Sequence, residues 1–259
     1  MKMFVLERRS KIMSLLQNKR RLTVKELAKR IGVSEATLRS DLNQMEEEGL
    51  LTRTHGGAVL NEYAAGETSF SVREKRNQKE KKLIAEKALE FVAEKQCILL
   101  DASSTTMELA YLLKQKNIRL TVITSGVKTA LELNESPNIT VILIGGMLTK
   151  ESSSLEGTLG LEILEQLNID LMFTSANGFT PESGLTDFNL YEVQLKKELI
   201  KKSNVVVALI DHSKIGVTSS AVFAKTDQIN TIITDATIQE NINNELASKN
   251  INLITTSSH

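Results

Sequence analysis

Residues 23–58 read TVKELAKRIGVSEATLRSDLNQMEEEGLLTRTHGGA, and this stretch predicts two short helices, a third helix and a β-wing. Thr23 stands three residues before Glu26, which is the spacing of a capping box at a helix start. Gly32 can end that helix as a left-handed cap. Apolar residues recur between these signals at helical spacing and predict one buried face, formed by Val24, Leu27, Ala28 and Ile31.

A second helix is predicted after the turn at Gly32, because Ser34 can cap it and an apolar stripe follows at helical spacing: Leu38, Leu42 and Met45. Residues 46–49 close this helix, with Gly49 as its cap. Residues 50–53 then predict a short strand that turns at residues 55–57. A strand pair with a basic tip is typical of a wing.

This order of elements suits a module that reads DNA. A recognition helix fits a major groove about 12 Å wide, while the helix before it can lie across the phosphate backbone. Arg39 is the candidate for a contact to a base edge, and Arg53 for a contact to phosphate or to the minor groove. The other candidate DNA contacts are Ser34, Glu35, Thr37, Ser40 and His55. The alternative is a pair of solvated arginines on an ordinary helical hairpin.

The words VSEATLRSDL (residues 33–42) and EGLLTRTHGGA (residues 48–58) resemble the N-terminal signature of the DeoR family of bacterial transcription regulators. That family carries a second arginine where this chain has Ser40. The resemblance implies a winged helix-turn-helix that binds double-stranded operator DNA, with different operator contacts at this position.

The composition favours a protein that stays in the cytoplasm. Its 259 residues are 41% hydrophobic and 25% charged, which is ordinary for a globular protein. No apolar run reaches the roughly 18 residues of a membrane span, and the apolar start of the chain is too short for a signal peptide. Cys97 is the only cysteine. A disulfide and a structural zinc are therefore not expected. No other metal and no cofactor are predicted.

The charge is unevenly distributed although the net charge is zero. Residues 1–57 hold 12 Lys or Arg and 7 Asp or Glu, a net charge of +5, whereas the remainder holds 20 and 25, a net charge of −5. A basic head on an acidic body is expected if only the head contacts phosphates. Chance asymmetry is the alternative reading of so small a difference.

Three segments follow from these patterns: a DNA-binding domain at 1–57, a linker at 58–77 and an effector domain at 78–259. The basic segment 73–76 of the linker is interpreted as solvated, with DNA contact as the alternative. In the last segment, short runs rich in Val and Ile alternate with amphipathic helical stretches, which predicts an open α/β domain with a mostly parallel sheet covered on both faces. The predicted strands are 97–100, 120–123, 140–144, 171–173, 205–210 and 229–233; the predicted helices include 105–113, 128–133, 159–167 and 190–202.

Ligands of such sheets bind beyond the carboxyl ends of the strands, where this chain places small hydroxyl and glycine residues. Residues 101–106 leave a strand and enter a helix, so hydroxyls and backbone N–H groups would converge where an anion is favoured. Similar loops follow the next two strands, and each could instead be a plain turn. The candidate effector-binding residues from these loops are Asp101, Ser103, Ser104, Thr105, Thr124, Ser125, Gly145 and Gly146.

The resemblance extends into this domain. The family carries an Asp-x-Gly-Thr-Thr word, met here as DASST at 101–105 with the glycine replaced by Ser103, and further similar words at 184–186 and 208–216. It implies a fold resembling sugar-phosphate isomerases and a repressor that a phosphorylated sugar or related metabolite releases. Lys214 could neutralise a bound phosphate, the alternative being a surface lysine. His212 is interpreted as a structural, hydrogen-bonding histidine.

An active sugar-phosphate isomerase fused to a DNA-binding head is the rival hypothesis. Isomerisation needs a positioned carboxylate base, whereas Asn177 stands where the isomerases carry an acidic word. The pocket is therefore interpreted as a sensor that includes Asn177, and the carboxylates that could overturn this are Asp101, Asp187 and Glu192. An activator would have the same sequence features as a repressor, and an architectural DNA protein would not need the second domain. Paired heads on a homo-oligomer are expected to match a symmetric operator.

Overall fold

The computed structural model describes residues 5–19, 21–47, 51–54, 56–60, 70–148 and 154–256. The chain divides into two compact units, residues 1–72 and 73–259. The predicted cap Gly49 and the predicted wing residue His55 lie outside the described residues. Within the described part of the chain, no helix combines the length and the apolar character that crossing a membrane requires.

The first unit contains three helices and a three-stranded antiparallel sheet of order β1-β3-β2. Its elements are α1 (Val5–Asn18), β1 (Arg21–Thr23), α2 (Val24–Ile31), α3 (Glu35–Glu47), β2 (Leu51–Thr54) and β3 (Gly57–Leu60). The prediction that residues 23–58 hold three helices was wrong, because the third helix of the unit, α1, precedes the stretch. Since β3 runs to Leu60, the predicted linker start at residue 58 falls inside a paired strand.

The helix signals of the first unit are confirmed. Thr23 and Glu26 form a reciprocal capping box, and Gly32 ends α2 with a φ of 80°. Apolar side chains at the predicted spacing form a buried core: Val24, Leu27, Ala28, Ile31, Leu38, Leu42 and Met45. A partly buried ion pair between Arg8 of α1 and Asp41 of α3 adds a polar link that the apolar pattern does not predict.

The second unit is built on a seven-stranded sheet in which every neighbouring pair is parallel. Its strands are β4 (Cys97–Leu100), β5 (Leu120–Thr124), β6 (Ile139–Leu143), β9 (Ile169–Thr174), β12 (Ser203–Leu209), β14 (Thr231–Thr234) and β15 (Asn252–Thr255). The spatial order is β15-β14-β12-β9-β4-β5-β6. The chain therefore moves outward from β4 to β6 and then returns to the other side of β4, which makes the gap between β4 and β9 a topological switch point.

Six α-helices of the described residues belong to this unit or lead into it: α4 (Phe70–Lys75), α5 (Gln78–Leu89), α6 (Ser104–Lys114), α7 (Val127–Leu133), α8 (Leu190–Lys202) and α9 (Glu240–Ser248). Helices α5, α6 and α7 pack side by side. Alternate strand residues, such as Leu99, Ile123 and Met172, instead enter one core cluster with Val193 and Leu199 of α8. The parallel sheet is therefore buried on both faces, as predicted.

Two small antiparallel sheets accompany the large parallel sheet in the second unit. A three-stranded sheet of order β10-β11-β13 comprises β10 (Gly178–Thr180), β11 (Gly184–Asp187) and β13 (Ala221–Ala224), and a two-stranded ribbon comprises β7 (Met147–Leu148) and β8 (Leu155–Glu156). The helix predicted over 159–167 is a 3₁₀ segment, Leu161–Gln166. The sequence interpretation named neither these small sheets nor strand β15.

Candidate functional site

Most of the residues that we predicted to read DNA lie on the start of α3 in the first unit, and we call them the DNA-reading surface. Ser34, Glu35, Arg39 and Ser40 are exposed, while Thr37 is half-buried. The Ser34 hydroxyl accepts a hydrogen bond from the Thr37 N–H at 3.2 Å, so its first task is to cap the helix. Arg39 keeps 55% of its side chain exposed and lies 3.4 Å from the Glu35 carboxylate, a weak surface pair that a base edge could displace.

Arg53 lies differently from the prediction of a basic wing tip. It sits within β2, where its N–H donates to the Glu46 carboxylate at 2.7 Å and its guanidinium contacts the Asn43 side chain of α3. Because both partners belong to α3, Arg53 joins the wing to that helix. A role for Arg53 toward DNA stays a prediction.

In the second unit, Asp101 follows β4 at the switch point and is 1% exposed. One carboxylate oxygen accepts hydrogen bonds from the Thr174 hydroxyl at 2.7 Å and the Ser175 N–H at 2.9 Å, both at the end of β9. The other accepts the Ser103 N–H at 3.0 Å and the Thr106 hydroxyl at 3.0 Å. Asp101 therefore ties together the two strand ends that border the switch point.

A buried lysine of α8 completes this arrangement. Lys196 Nζ lies 3.3 Å from Asp101 and 3.2 Å from Asp187, and it donates to the Ser175 carbonyl at 2.9 Å. The ammonium group also lies 4.7 Å from the centre of the Phe223 ring, a cation–π distance. We call Asp101, Ser175, Asp187 and Lys196 the switch-point cluster.

Charge pairing sets the ionisation of the switch-point cluster. Burial alone would lower the pKa of Lys196, but the carboxylates of Asp101 and Asp187 outweigh it and raise that pKa. Burial would likewise raise the pKa of Asp101, yet the Lys196 charge and the hydrogen bonds from its neighbours hold it below the usual range. The pair is therefore ionised at neutral pH.

The predicted anion cradle lies beside the cluster at the start of α6. The Ser103 hydroxyl caps the helix by accepting the Thr106 N–H at 3.2 Å, and its backbone is extended (φ −82°), so this position does not need the glycine of the family word. Ser104 and Thr105 are buried, and the Thr105 hydroxyl lies 3.4 Å from that of Ser175. Both hydroxyls thus line the switch point.

A buried lysine lies at that helix start. Lys81, on α5, is 4% exposed, and its Nζ donates to the Ser104 hydroxyl at 3.0 Å. Burial lowers the pKa of Lys81 to about 8; the Asp211 carboxylate opposes this shift, while the charges of Lys214 and Arg73 add to it. We call Arg73, Lys81 and Lys214 the cationic rim. A phosphate at the start of α6 would relieve their mutual repulsion.

Lys214 lies on a 3₁₀ turn, His212–Lys214, and Asp211 caps the start of this turn. Asp211 accepts hydrogen bonds from the Ser213 N–H at 3.0 Å and from the Asn77 side chain at 2.9 Å. The neighbouring His212 hydrogen-bonds the Asp235 carboxylate at 2.6 Å, so its interpretation as a hydrogen-bonding histidine is confirmed.

The loops after β5 and β6 were predicted to contact an effector. In the structure, they contact other segments of the protein backbone. Thr124 is fully buried and accepts the Gly126 N–H at 3.0 Å, and the Ser125 carbonyl accepts the Leu155 N–H at 2.8 Å. A Cβ on Gly146 would lie 2.6 Å from the Glu156 carbonyl oxygen, while Gly145 packs against the backbone of Gly160. Gly146 is therefore required for loop packing, whereas a Cβ on Gly145 would meet only ordinary van der Waals contact. Contact with an effector stays a prediction for all four residues.

Asn177 and two carboxylates form the far side of the site. Asn177 donates to Asp187 at 2.6 Å, so its amide orients a carboxylate of the switch-point cluster. Burial and the charge of Asp187 raise the pKa of Glu192 to about 6, and the Ser154 hydroxyl donates to it at 3.3 Å. Glu192 is thus the carboxylate with the pKa of a general base, whereas Asp101 and Asp187 are occupied by Lys196.

Lys81 and Lys196 were not predicted from the sequence. Each stands on the apolar face of its helix, three residues before a buried residue: Ile84 for Lys81 and Leu199 for Lys196. A lysine within an apolar stripe rarely lies buried without a partner. That pattern was the available signal, although it does not identify the partner.

Both units match known families. Residues 8–64 match the family described as a DeoR-like helix-turn-helix domain, and residues 76–236 match the DeoR C terminal sensor domain. A D-ribose-5-phosphate isomerase structure, in complex with phospho-erythronic acid, overlaps 53% of this chain and 54% of its own, with a TM-score of 0.41 and 20% identity.

Relatives align over nearly their whole length. The HTH-type transcriptional regulator GolR of Listeria innocua is 48% identical over 92% of this chain and 93% of its own. The L-fucose operon activator of Haemophilus influenzae is 33% identical (89% and 92%). The HTH-type transcriptional repressor GlcR of Bacillus subtilis is 32% identical (90% and 89%). The chain thus belongs to the DeoR family of transcriptional regulators and joins a DNA-binding helix-turn-helix to a sensor domain.

Proposed function

We propose that this regulator represses a carbohydrate-metabolism operon and that a phosphorylated sugar, bound at the switch point, controls its affinity for DNA. The observation that carries the proposal is the buried Lys81 ammonium at the Ser104 hydroxyl, at a helix start, with the charges of Arg73 and Lys214 close enough to lower its pKa. A dianionic phosphate fits that charge and those donors. The switch-point cluster would then contact the sugar hydroxyls.

Arg39 is proposed to read a base edge, with Ser34, Glu35, Thr37 and Ser40 beside it on the exposed start of α3. Two or more chains would present paired heads to half-sites about one helical turn apart or a multiple of it. A coupling of about 1–3 kcal/mol between the two sites would change operator affinity about 5- to 150-fold. Repression is favoured by the resemblance, and relatives of both signs, an activator and a repressor, share this architecture.

A thermal-shift screen tests the proposed effector class. The panel comprises inorganic phosphate, glycerol 3-phosphate, ribose 5-phosphate, glucose 6-phosphate and fructose 1-phosphate, with free ribose and glucose as controls. A true effector, at a concentration one hundred times its dissociation constant, stabilises the folded protein by about 2.7 kcal/mol. If no phosphorylated compound raises the Tm while operator binding is intact, the proposal is wrong.

Lys214 offers a matched test of the site. Lys214→Ala is expected to leave operator binding intact and to weaken the response to the panel compound that shifts the wild-type Tm most. Lys116→Ala, an exposed lysine on the same unit, serves as the control. An unchanged response in Lys214→Ala would place the site elsewhere.

The isomerase alternative has one supporting observation, the pKa of about 6 at Glu192. Against it, Lys196 forms ion pairs with both Asp101 and Asp187. We therefore favour a sensor without turnover. Conversion of ribose 5-phosphate to its ketose isomer by the purified chain, lost in Glu192→Gln, would establish the alternative.

A further inference from the structure

The segment between α4 and α5 brings the chain into the second unit. The boundary between the two units falls between residues 72 and 73, within α4, and α5 begins at Gln78. Asn77, the last residue before α5, adopts the left-handed conformation (φ 51°), which asparagine tolerates better than most residues. Residues 73–77 are therefore the part of the second unit that is nearest in sequence to the DNA-reading unit.

This segment is attached at two points to the proposed effector site. Lys81 Nζ donates to the Arg73 carbonyl as well as to the Ser104 hydroxyl. Asn77 donates to Asp211 at 2.9 Å and to Ser213 at 3.4 Å, on the turn that carries Lys214. Both attachments end on elements that contribute to the cradle.

The Arg73 side chain has an unused donor. Among the described residues, no group accepts a hydrogen bond from its Nε, although that atom is buried. A buried donor without an acceptor costs free energy, and an incoming anion would remove that cost. Arg73 also lies next to the cradle, because the Lys81 ammonium that donates to its carbonyl donates to the Ser104 hydroxyl as well. In keeping with this position, the Arg73 charge helps to lower the pKa of Lys81.

We infer that Arg73 is an effector ligand, so that the residue which binds the phosphate also carries the chain toward the DNA-reading unit. The inference rests on the proposed function and adds how occupancy is transmitted. A phosphate accepts two parallel hydrogen bonds from a guanidinium. Lys81 holds the Arg73 backbone through its carbonyl, so binding at the side chain moves or stiffens residues 73–77 directly.

The test compares Arg73→Met with Lys75→Met in the full-length chain, using inorganic phosphate as the probe. Lys75 is an exposed cation on the same helix and serves as the matched control. Thermal shift gives the affinity for phosphate, and amide hydrogen exchange gives the protection of residues 73–77. In wild type and Lys75→Met, phosphate is expected to raise the Tm and to slow exchange across this segment.

Arg73→Met is expected to bind phosphate about tenfold more weakly or worse, because hydrogen bonds to charged groups are lost, and to show no change of exchange in residues 73–77. Equal affinity in Arg73→Met and wild type, or a Tm shift in wild type without a change of exchange, would overturn the inference and leave the proposed function standing. If neither inorganic phosphate nor a panel sugar phosphate shifts the wild-type Tm, the proposed function itself fails.

A second variant keeps the test decisive if Arg73→Met does not fold. Lys81→Met keeps the apolar stem but removes the ammonium that holds the Arg73 carbonyl. Exchange across residues 73–77 is then expected to rise about tenfold before any phosphate is added. Lys82→Met, the exposed neighbour, is the control, and equal exchange in the two variants would contradict the proposed attachment.

Discussion

The DNA-reading surface and the switch-point cluster place their proposed functional groups in opposite ways. Arg39 lies on one helix with 55% of its side chain exposed, and its ion-pair partner Glu35 is four residues away. Asp101 is 1% exposed, and its partner Thr174 lies 73 positions further along the chain. A surface that serves an outside partner can change without cost to the fold, whereas groups that hold one another are also part of the fold.

Replacing Lys196 should cause the largest loss in the free energy of unfolding, and so sharpen the contrast between the two regions. Lys196→Met leaves Asp101 and Asp187 buried without their cation. Breaking a buried pair by removing one partner typically costs about 3–5 kcal/mol. Urea denaturation followed by circular dichroism at neutral pH measures the loss.

Lys197→Met is the control, because that neighbour is exposed and should cost no more than about 0.5 kcal/mol. Similar losses in the two variants would mean that the cluster contributes nothing special to the fold. The contrast between the two regions would then be broken.

Arg39→Ala tests the opposite side of the comparison. It should lower discrimination at one operator position by about 1–3 kcal/mol, because a bidentate contact to a base edge is lost. The free energy of unfolding should change by no more than about 0.5 kcal/mol. Binding to a set of operator variants, by fluorescence anisotropy at one fixed salt concentration, measures the first quantity.

Lys29→Ala, an exposed cation on α2, provides the comparison for contacts to the phosphate backbone. It should weaken binding to all operator variants about equally. If Arg39→Ala behaves in that way too, Arg39 contacts phosphate and the predicted base contact is wrong.

The two regions also differ in how far sequence alone could predict them. In the first unit, the capping box of Thr23 and Glu26, the cap at Gly32 and the apolar stripes act within a few residues, so the pattern and the structure coincide. The misplaced element was α1, because its weak periodicity lies outside the stretch that carries the signals. The direction of Arg53 depends on α3 packing against β2, which the sequence pattern does not encode.

In the second unit, the six predicted strands and the switch-point loops were found because apolar runs mark strands wherever they pair. The order of the strands was not available, so Lys196 could not be assigned to Asp101 and Asp187. The loop glycines carried an ambiguous signal. Gly146 is required because the Glu156 backbone lies so close to it. A glycine that allows close contact with the protein backbone cannot be distinguished by sequence from one that allows close contact with a ligand.

Glu192→Gln should raise the free energy of unfolding, by less than the Lys196 substitution lowers it. Burial and Asp187 raise the pKa of Glu192 to about 6, above its value of 4.5 in an unfolded chain, so the ionised carboxylate destabilises the fold. Stability is then lost as the pH rises from about 4.5 to 6, and the loss persists at neutral pH. The glutamine variant should be about 1–2 kcal/mol more stable than wild type at pH 7.5 or so.

The measurement is a series of denaturant titrations across this pH range, with Glu162→Gln, an exposed glutamate, as the control. The wild type should lose stability relative to Glu192→Gln as the pH rises. A parallel pH dependence in the two proteins would show that Glu192 ionises as a surface carboxylate does, and the second unit would then resemble the first.

Replacing His212 should change the free energy of unfolding least, because this residue lies at the surface of the second unit. Half of its side chain is exposed, and the hydrogen bond to Asp235 raises its pKa above the usual 6.5. A raised pKa means that the stabilisation is fully present below the unfolded pKa and is lost as the pH rises through the folded one. His212→Gln should therefore lose about 0.5 kcal/mol or less near pH 6, and the difference should shrink toward about pH 8.5.

Denaturant titrations at these two pH values separate charge from packing, because the charged imidazole gains more from the Asp235 carboxylate than the neutral one does. Asp235→Asn should reduce the pH dependence of the His212 effect, since it removes the main partner charge and leaves the weaker influence of Asp211 and Glu80. A loss above about 1 kcal/mol that persists at the higher pH would exceed what exposed pairs contribute. It would show that the turn carrying Lys214 depends on the neutral imidazole, and would place His212 with the buried groups of the switch-point cluster.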